Sequence, residues 1–284
     1  MKIKGFSDLN ISIPYEEFTP NHAQELIDLG YQTVALTTTV EEESSNTPKK
    51  KKNNPNKEVI PAPKHLNAKI NEELTRKLQI LHRLTVYFSD ANQLQKLCKS
   101  DNTKKYDIVS VIPTSTNAFQ LACACKDVDL ISFDPNVRLP MLNRRIYNQG
   151  LANSIFYEVP YAPAIIDAGK RKTVIQMAHA YHAYGKSKNV VITSGASEIG
   201  KVRGPYDVTN LALLLGLSEE QAKHSMSNTC RSLILRAEGR RFGKTAMTMM
   251  ITGLELESEE ASDEEPVAKR YKSAAECDIE MAFS

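Results

Sequence analysis

The sequence has few cysteines and no long apolar run, and each shortage excludes a class of protein. The five cysteines are Cys98, Cys123, Cys125, Cys230 and Cys277. Because they are odd in number and scattered, they do not form a disulfide framework, and they indicate a reducing compartment. No segment approaches the ~20 apolar residues of a membrane span. Residues 1–8 alternate lysine with apolar side chains and lack the apolar stretch of a signal peptide, so secretion is not expected.

Common catalytic and metal motifs are also missing. The string Gly243-Lys244-Thr245 has the end of a Walker sequence, but its spacing to Gly239 is wrong, so an NTPase is not expected. No Gly-x-Ser-x-Gly elbow and no convincing Cys/His nucleophile pair occurs. Cys123 and Cys125 are two residues apart and diverge on a helix, whereas zinc knuckles use Cys-x-x-Cys pairs. We therefore expect neither a bound metal nor a cofactor.

The composition is that of a soluble globular protein with an uneven distribution of charge. Of 284 residues, 41% are hydrophobic and 25% are charged, which excludes collagen and coiled-coil architectures. The formal net charge is +2, but residues 255–284 hold ten acids and three bases, so residues 1–254 carry a net charge of +9. A basic body attracts polyanions such as nucleic acid, although a solvated surface can carry the same excess.

Two segments lack apolar periodicity and divide the chain. Residues 41–64 combine acids, a lysine run and four prolines, and residues 255–284 form the acidic tail. Both compositions predict disorder. The sequence therefore predicts a single domain over residues 1–254, with a flexible insertion at 41–64 and a disordered tail.

Short β-rich runs alternate with amphipathic stretches along the domain. The predicted strands are 5–9, 33–37, 84–88, 108–111, 130–133, 155–159 and 190–193. Alternation of this kind predicts an α/β fold with a parallel sheet, and seven strands with a possible eighth at 232–235 suffice for a TIM-barrel-like parallel barrel or an open sheet. The pattern does not decide whether 232–235 is strand or helix.

Acidic residues follow several of the predicted strands, which is where barrel enzymes place their active sites. Asp8, Asp134 and Glu158 could bind divalent ions for a phosphoesterase reaction. None of the six histidines falls at these strand ends, although imidazole usually accompanies carboxylate in such centres. Helix capping and turn formation account for the acids equally well.

The turn after the seventh strand is a candidate phosphate site. It consists of Ser194, Gly195, Ala196 and Ser197, whose small side chains allow a phosphate to approach backbone amides. A tight strand-to-helix turn needs the glycine for the same backbone reasons. Both interpretations remain open.

Arginine-rich clusters give a more consistent indication. The candidate RNA-binding residues are Arg138, Arg144, Arg145, Lys170, Arg171, Lys172, Lys201, Arg203, Arg231, Arg236, Arg240, Arg241 and Lys244. The planar guanidinium suits bidentate contact with phosphate and stacking on exposed bases, which is how irregular RNA is held. A solvated basic face is the alternative for any one cluster.

Several strings together resemble one family. They are Asp8-Leu9-Asn10-Ile11, FDPNVRL at 133–139, NSIFYEVPYAPAI at 153–165 and VITSGASEIGKVRGPYDVTNLALLLG at 191–216. These resemble the protein subunit of about thirty kilodaltons shared by nuclear and archaeal ribonuclease P and by ribonuclease MRP. The resemblance spans residues 1–254 apart from the insertion, and the tail resembles the vertebrate form.

The resemblance implies a barrel similar to the polymerase and histidinol phosphatase group of metal-dependent phosphoesterases. That group has a His-x-His pair on its first strand, and here Asp8 and Asn10 stand at those positions. The resemblance to the ribonuclease P and MRP subunit family also implies a non-catalytic scaffold, because in this family the chemistry belongs to the RNA of the complex. The RNA of ribonuclease P matures the 5′ end of precursor tRNA, and a related RNA in ribonuclease MRP processes ribosomal RNA. The implied partners are the catalytic RNA, a second copy of the chain and a small RNA-recognition-like subunit, in the nucleus and nucleolus.

The tail adds two expectations. Ser258 and Ser262 lie beside acids, as acid-directed kinases prefer, and are candidate phosphorylation sites. Lys269, Arg270 and Lys272 compete with the lysine run at 49–52 as a nuclear import signal. A protein scaffold whose basic clusters bind acidic partners remains a third interpretation of the whole chain.

Overall fold

The computed structural model describes residues 5–40, 60–64, 72–137 and 139–243. Its strands are β1 (Phe6–Ile11), β2 (Tyr31–Val40), β3 (Gln79–Phe88), β4 (Ile108–Pro113), β5 (Leu130–Ile131), β6 (Phe156–Pro160) and β7 (Val190–Thr193). Its α-helices are α1 (Pro20–Asp28), α2 (Glu72–Lys77), α3 (Ala91–Lys99), α4 (Thr116–Ala124), α5 (Arg144–Ala152), α6 (Ala162–Ile166), α7 (Ala168–Gly185), α8 (Pro205–Leu214), α9 (Glu219–Ser225) and α10 (Asn228–Phe242).

The seven strands form one parallel sheet in the order of the sequence, β1 to β7. A parallel bridge between Ile11 and Ala196 joins its two edges. Two further hydrogen bonds support this bridge, one from the Ser12 amide to the Ala196 carbonyl (2.8 Å) and one from the Gly195 amide to the Asn10 carbonyl (2.9 Å). The sheet is therefore a nearly closed barrel, which confirms the predicted α/β class.

Local sequence explains where the elements begin. Thr19 accepts a hydrogen bond from the amide of His22 and precedes Pro20, the first residue of α1. Ser218 and Gln221 form a capping box at the start of α9. Every residue of β4 is buried, as expected for a strand covered on both faces. These elements follow the apolar periodicity and the capping residues of the sequence.

The lower half of the barrel is closed by apolar side chains. We call the seven residues below, one from each strand, the bottom layer. They are Leu9, Ala35, Leu81, Ile108, Leu130, Phe156 and Val191. They pack against Cys230, Leu233 and Ile234 of α10 in one buried cluster. The segment 232–235 is therefore helix rather than an eighth strand, and its apolar side chains cover the amino-terminal ends of the strands.

Stacked tyrosines fill the space between the sheet and two of its helices. Tyr147 of α5 and Tyr157 of β6 stack with ring centroids 4.1 Å apart, and Tyr181 of α7 lies 5.2 Å from Tyr157. Gly185 makes room for this stack, because a Cβ built there would lie 1.8 Å from Cε1 of Tyr147. A larger residue at this position would have to displace the Tyr147 ring.

One predicted boundary is corrected by the structure. Ile60 is buried in the core, and its carbonyl accepts a hydrogen bond from the Asn102 side chain (2.9 Å). The carbonyl of Pro61 accepts a hydrogen bond from the Tyr106 hydroxyl (3.0 Å). Ile60 and Pro61 are thus tied to the packed domain, because the apolar side chain of Ile60 at the end of the polar segment is buried in the core.

Residues 41–59 and the predicted tail at 255–284 lie outside the described residues. Within the described ranges, no helix has the length and apolar character needed to cross a membrane.

Candidate functional site at the mouth of the barrel

A cavity of about 250 Å³ with both polar and apolar walls opens at the carboxyl ends of the strands. Its wall includes Asn10, Thr37, Arg83, Ser132 and Lys170. In barrel proteins this end carries the functional loops, while the opposite end serves stability. We call this end of the barrel the mouth, and the end covered by α10 the bottom.

A buried ion pair lies inside the barrel beside this cavity. Arg83 of β3 and Glu158 of β6 are both 0% exposed, and their side chains meet in two hydrogen bonds of 2.6 and 2.5 Å. The remaining guanidinium donors bond to the Leu9 carbonyl, the Thr85 hydroxyl and the Ser110 hydroxyl at 2.7–3.1 Å. All five N–H groups of Arg83 are therefore used.

The environment of Glu158 keeps its carboxylate ionised and fully engaged in hydrogen bonds to neighbouring side chains. Burial raises the pKa of Glu158, but the charge of Arg83 and hydrogen bonds from Arg83, Ser132 and Thr193 outweigh burial and hold it below its usual value. Thr193 donates to the same carboxylate at 2.6 Å. Glu158 is thus neutralised inside the protein and is not available as a metal ligand.

Asp8 lies at the junction of β1 and β7. Its Oδ1 accepts hydrogen bonds from the amides of Ser194 (3.0 Å) and Asn10 (3.2 Å), whereas its buried Oδ2 has no hydrogen-bond partner among the described residues. Burial raises the pKa of Asp8 to about 6, against the lowering effect of these hydrogen bonds. The carboxylate therefore holds the seam of the barrel together instead of facing solvent.

The structure does not bring together a metal centre from the three predicted acids. Asp134 accepts a hydrogen bond from the Tyr87 hydroxyl (3.0 Å) and binds the amide of Asn136 (2.8 Å), as a turn former does. In the described part of the chain, the single group of three potential metal ligands contains neither Asp8, Asp134 nor Glu158. The acids that follow the strands serve structure, which removes the basis of the phosphoesterase interpretation.

The predicted phosphate turn also has a structural role. The amide of Ser194 donates to Asp8, and the amide of Gly195 donates to the carbonyl of Asn10. The amide of Ala196 donates to the hydroxyl of Ser194 (3.3 Å). The first two amides in the turn of Ser194, Gly195, Ala196 and Ser197 thus close the barrel, and the third bonds within the turn, so these three are unavailable to a phosphate.

The predicted basic residues separate into two groups at opposite ends of the barrel. The first group, which we call the mouth surface, lies at the starts of α5 and α7 and in the loop from β7 to α8. It consists of Arg144, Arg145, Lys170, Arg171, Lys172, Lys201 and Arg203. Helices that follow β-strands begin at the carboxyl ends of those strands, so these residues border the mouth on the β5, β6 and β7 side.

Most of the mouth surface remains available to a ligand. Arg144 and Arg145 are exposed, and neither takes part in an ion pair among the described residues. Arg203 is exposed, and within the described ranges its guanidinium bonds to the carbonyls of Gly200 and Val202 through Nη1. Lys201 pairs with Glu198 at 2.8 Å, an exposed contact of little energetic weight.

The second group lies at the bottom and is committed to structure. Arg236 and Arg240 of α10 both bind the buried carboxylate of Asp129, at 2.6 and 2.9 Å. Arg241 pairs with Asp107. These three arginines dock α10 against the strand starts, and sequence reasoning missed that role because their acidic partners lie more than a hundred residues away. Arg231 of the same helix is exposed.

Four predicted residues cannot be placed. Arg138, Lys244, Ser258 and Ser262 lie outside the described residues. Arg83 was not a predicted site residue, although it lies at the centre of the barrel. The available signal was an arginine within a strand rich in apolar and β-branched residues, at the spacing of inward-facing positions.

Comparison with known proteins gives one consistent result. The model of a family described as RNase P subunit p30 matches residues 5–242. The mouse protein named Ribonuclease P protein subunit p30 is 37% identical over 201 residues, covering 70% of this chain and 74% of the mouse protein. The Saccharomyces cerevisiae protein named Ribonuclease P/MRP protein subunit RPP1 is 25% identical over 201 residues, covering 70% and 67%.

A solved structure supports the fold. A chain in the cryo-EM structure of archaeal ribonuclease P with mature tRNA superposes with a TM-score of 0.59 at 15% identity, covering 90% of this chain and 100% of the archaeal chain. At this identity the likeness concerns the fold.

Proposed function

Because the chain belongs to the RNase P subunit p30 family, we propose that it is a protein subunit of ribonuclease P and ribonuclease MRP that binds and scaffolds the catalytic RNA. Its relatives carry the names of ribonuclease P and ribonuclease P/MRP protein subunits. In this role it supports 5′ maturation of precursor tRNA and processing of ribosomal RNA. The family match over nearly the whole described domain is the observation that carries the proposal.

The barrel interior is consistent with an accessory rather than a catalytic role. Water activation by metal ions requires carboxylates that are free to coordinate. Glu158 is neutralised by Arg83, and Asp8 is tied to the turn that closes the barrel. The catalytic power of the complex therefore does not come from these acids.

The mouth surface is the proposed RNA contact. Its guanidinium and ammonium groups are largely exposed, whereas those of Arg236, Arg240 and Arg241 are held by buried or partly buried acids. A guanidinium that already binds a carboxylate in the fold loses that bond if it moves to a phosphate. RNA binding should therefore depend on the mouth surface and not on the arginines of the bottom.

Protein subunits require a different kind of surface, and α8 supplies one. Tyr206 and Leu214 are each 73% exposed, and Leu213 of the same helix is also exposed. Large apolar side chains grouped on one helix are typical of protein contacts. We propose that α8 faces another protein subunit of the complex.

The function is tested by purifying the complex through this chain. A tagged full-length chain should recover the ribonuclease P and MRP RNAs and cleave precursor tRNA at its 5′ end. The isolated chain, freed of RNA, should show no cleavage with magnesium or manganese ions present. Cleavage by the isolated chain that disappears in Asp8→Ala would restore the phosphoesterase interpretation.

The RNA surface is tested by a salt titration of the full-length chain with the ribonuclease P RNA. Removing two phosphate contacts with Arg144→Ala and Arg145→Ala should lower the slope of log affinity against log salt by about 1.4–1.8. Lys96→Ala with Lys99→Ala removes two exposed charges of α3, away from the mouth, and serves as the control. An equal change in both variants would show that the effect is general electrostatics.

A third measurement separates RNA from acidic protein as the partner of the basic groups. Ultraviolet crosslinking of the assembled complex should yield nucleotide adducts in the peptides that contain the mouth surface. Adducts confined to other regions would reject this surface as the RNA contact.

We also propose that the nuclear complex concentrates in the nucleolus, because ribosomal RNA precursors are processed there. Imaging of the tagged chain checks this, and deletion of 49–52 or of 269–272 tests which basic run directs import. Intact-mass analysis of the cellular protein tests phosphorylation at Ser258 and Ser262.

A further inference from the structure

Two cysteines and an acid that are distant in sequence meet on the outside of the barrel. Cys98 lies near the end of α3, Cys125 follows the last residue of α4, and Asp127 lies in the loop that leads to β5. The Sγ atoms of Cys98 and Cys125 are 3.6 Å apart. These sulfurs and a carboxylate oxygen of Asp127 all lie within 4.8 Å of one another.

We infer that Cys98, Cys125 and Asp127 form a binding site for a thiophilic divalent cation of the zinc class. We call these three residues the thiol cluster. Neither the family match nor the similar proteins assign such a site. The inference is independent of the RNA-binding role, because the cluster lies away from the mouth.

The spacing of the ligand atoms fits tetrahedral coordination. Zinc–sulfur bonds of about 2.3 Å at the tetrahedral angle place two sulfurs about 3.8 Å apart. A zinc–oxygen bond of about 2.1 Å gives sulfur–oxygen separations of about 3.6 Å. The observed 3.6 Å between the sulfurs is close to the first value, and the carboxylate oxygen of Asp127 lies within 4.8 Å of both sulfurs. A disulfide, by contrast, requires about 2.05 Å.

The local electrostatics favour a cation. Asp127 is exposed, and it takes part in none of the ion pairs among the described residues, yet its carboxylate lies against two thiols. Backbone amides of Asp127 and Val128 form hydrogen bonds to the sulfur of Cys125. Amides that bond to sulfur are typical of outer-shell support in thiolate sites.

The thiol cluster is open to solvent on one side, so a metal ion can enter and leave. The two thiols are half-buried and Asp127 is exposed, so solvent reaches the site from one side. Three protein ligands and one water complete a tetrahedral set. Bound metal would link α3 to the loop that also carries Asp129, the residue that anchors Arg236 and Arg240.

The test uses the full-length chain, reduced and stripped of metal, with Cd²⁺ and Zn²⁺ as probes. Cadmium titration should saturate at one equivalent and produce the ultraviolet charge-transfer band of a site with two thiolates. Calorimetry should give a matching one-to-one stoichiometry for zinc. Absence of a saturable one-equivalent transition would overturn the inference.

Variants identify the ligands. Cys98→Ser and Cys125→Ser should each halve the cadmium band and weaken zinc binding by more than about tenfold, since even outer-shell partners are worth 10–100-fold. Asp127→Asn should keep the full band but weaken binding, because both thiolates remain. As Asp127 is exposed, this variant does not depend on core packing.

Two controls leave the cluster intact. Cys277→Ser removes a cysteine outside the described residues, and Asp101→Asn removes an exposed acid that pairs with Lys104. Both should bind zinc and cadmium like the unmodified chain, and equally tight binding by Cys98→Ser would reject the site.

Oxidation distinguishes a metal site from a redox pair. Hydrogen peroxide would oxidise the two thiols to a disulfide and be reduced to water. If zinc fails to slow that reaction, the cysteines are a redox pair and the metal site is refuted.

Discussion

Breaking the ion pair between Arg83 and Glu158 should destabilise the barrel strongly. In Glu158→Gln, an uncharged amide replaces the carboxylate and presents hydrogens to the guanidinium, while the positive charge stays fully buried. Removing one partner of a buried pair costs about 3–5 kcal/mol. Arg83→Met should cost a similar amount near pH 7, because it removes five donors and leaves a buried carboxylate.

The pH dependence of the two variants distinguishes their causes. In Arg83→Met, the unpaired Glu158 can take up a proton, so its pKa should rise and its destabilising effect should shrink as the pH falls toward 5. In Glu158→Gln, the remaining arginine cannot be neutralised in this range. The loss of stability in that variant should therefore change little with pH.

Urea unfolding followed by circular dichroism measures these free energies. The double variant Arg83→Met with Glu158→Leu should cost less than the sum of the two single changes by at least about 2 kcal/mol, because no buried charge remains. The exposed pair of Lys201 and Glu198 is the control, with an expected coupling below about 1 kcal/mol. Single-variant losses under 1 kcal/mol, or additive losses, would refute the assigned role of the buried pair.

Three further predictions concern other parts of the barrel. The folded pKa of Asp8 is raised from 3.8 to about 6, so its contribution to the free energy of unfolding is lost as pH rises from about 4 to about 6. As the pH rises from 4 to 7, the free energy of unfolding of Asp8→Asn should therefore increase relative to that of the unmodified chain by up to about 3 kcal/mol in urea titrations. Gly185→Ala should lower the free energy of unfolding by about 1–3 kcal/mol in thermal unfolding, because its Cβ would overlap Tyr147. Asp129→Asn should lower the free energy of unfolding by about 3 kcal/mol in the same assay, since Arg236 and Arg240 lose their counter-charge.

Each of these predictions has a matched comparison. A pH-independent difference between Asp8→Asn and the unmodified chain would show that Asp8 titrates normally. Gly239→Ala, where no described residue outside the helix backbone lies within 4 Å of the new Cβ, should instead stabilise α10 by about 1 kcal/mol. Glu198→Gln removes an exposed ion pair and should change stability by less than about 1 kcal/mol. A loss for Asp129→Asn as small as that of Glu198→Gln would contradict its anchoring role.

The sequence predicted the framework of the barrel because the signals for that framework are local. Apolar runs such as 108–111 and 190–193 marked strands, and each of the seven predicted strands overlaps an observed one. The segment 232–235 stayed ambiguous because a short, mostly apolar run of four residues fits either period. Its helical state depends on Leu233 and Ile234 reaching the bottom layer, which is a tertiary contact.

The site was harder to predict because its decisive contacts join distant parts of the chain. Glu158 looked like a free carboxylate, since Arg83 lies 75 residues earlier. Arg240 looked like a phosphate ligand, since Asp129 lies 111 residues earlier. The turn at Ser194 looked open to an anion, because the partners of its first two amides lie on the first strand, more than 180 residues earlier. A local pattern reports the kind of side chain but not its partner.

The bottom layer has a consequence for synthesis of the protein on the ribosome. Seven strands contribute to it, but the helix that covers it begins only at residue 228. A nascent chain that has all its strands but not yet this helix still exposes a ring of apolar side chains, and exposed surfaces of this kind bind chaperones or other incomplete chains. Maturation of the barrel is therefore a late event, and premature termination before α10 should yield an insoluble product instead of a smaller working subunit.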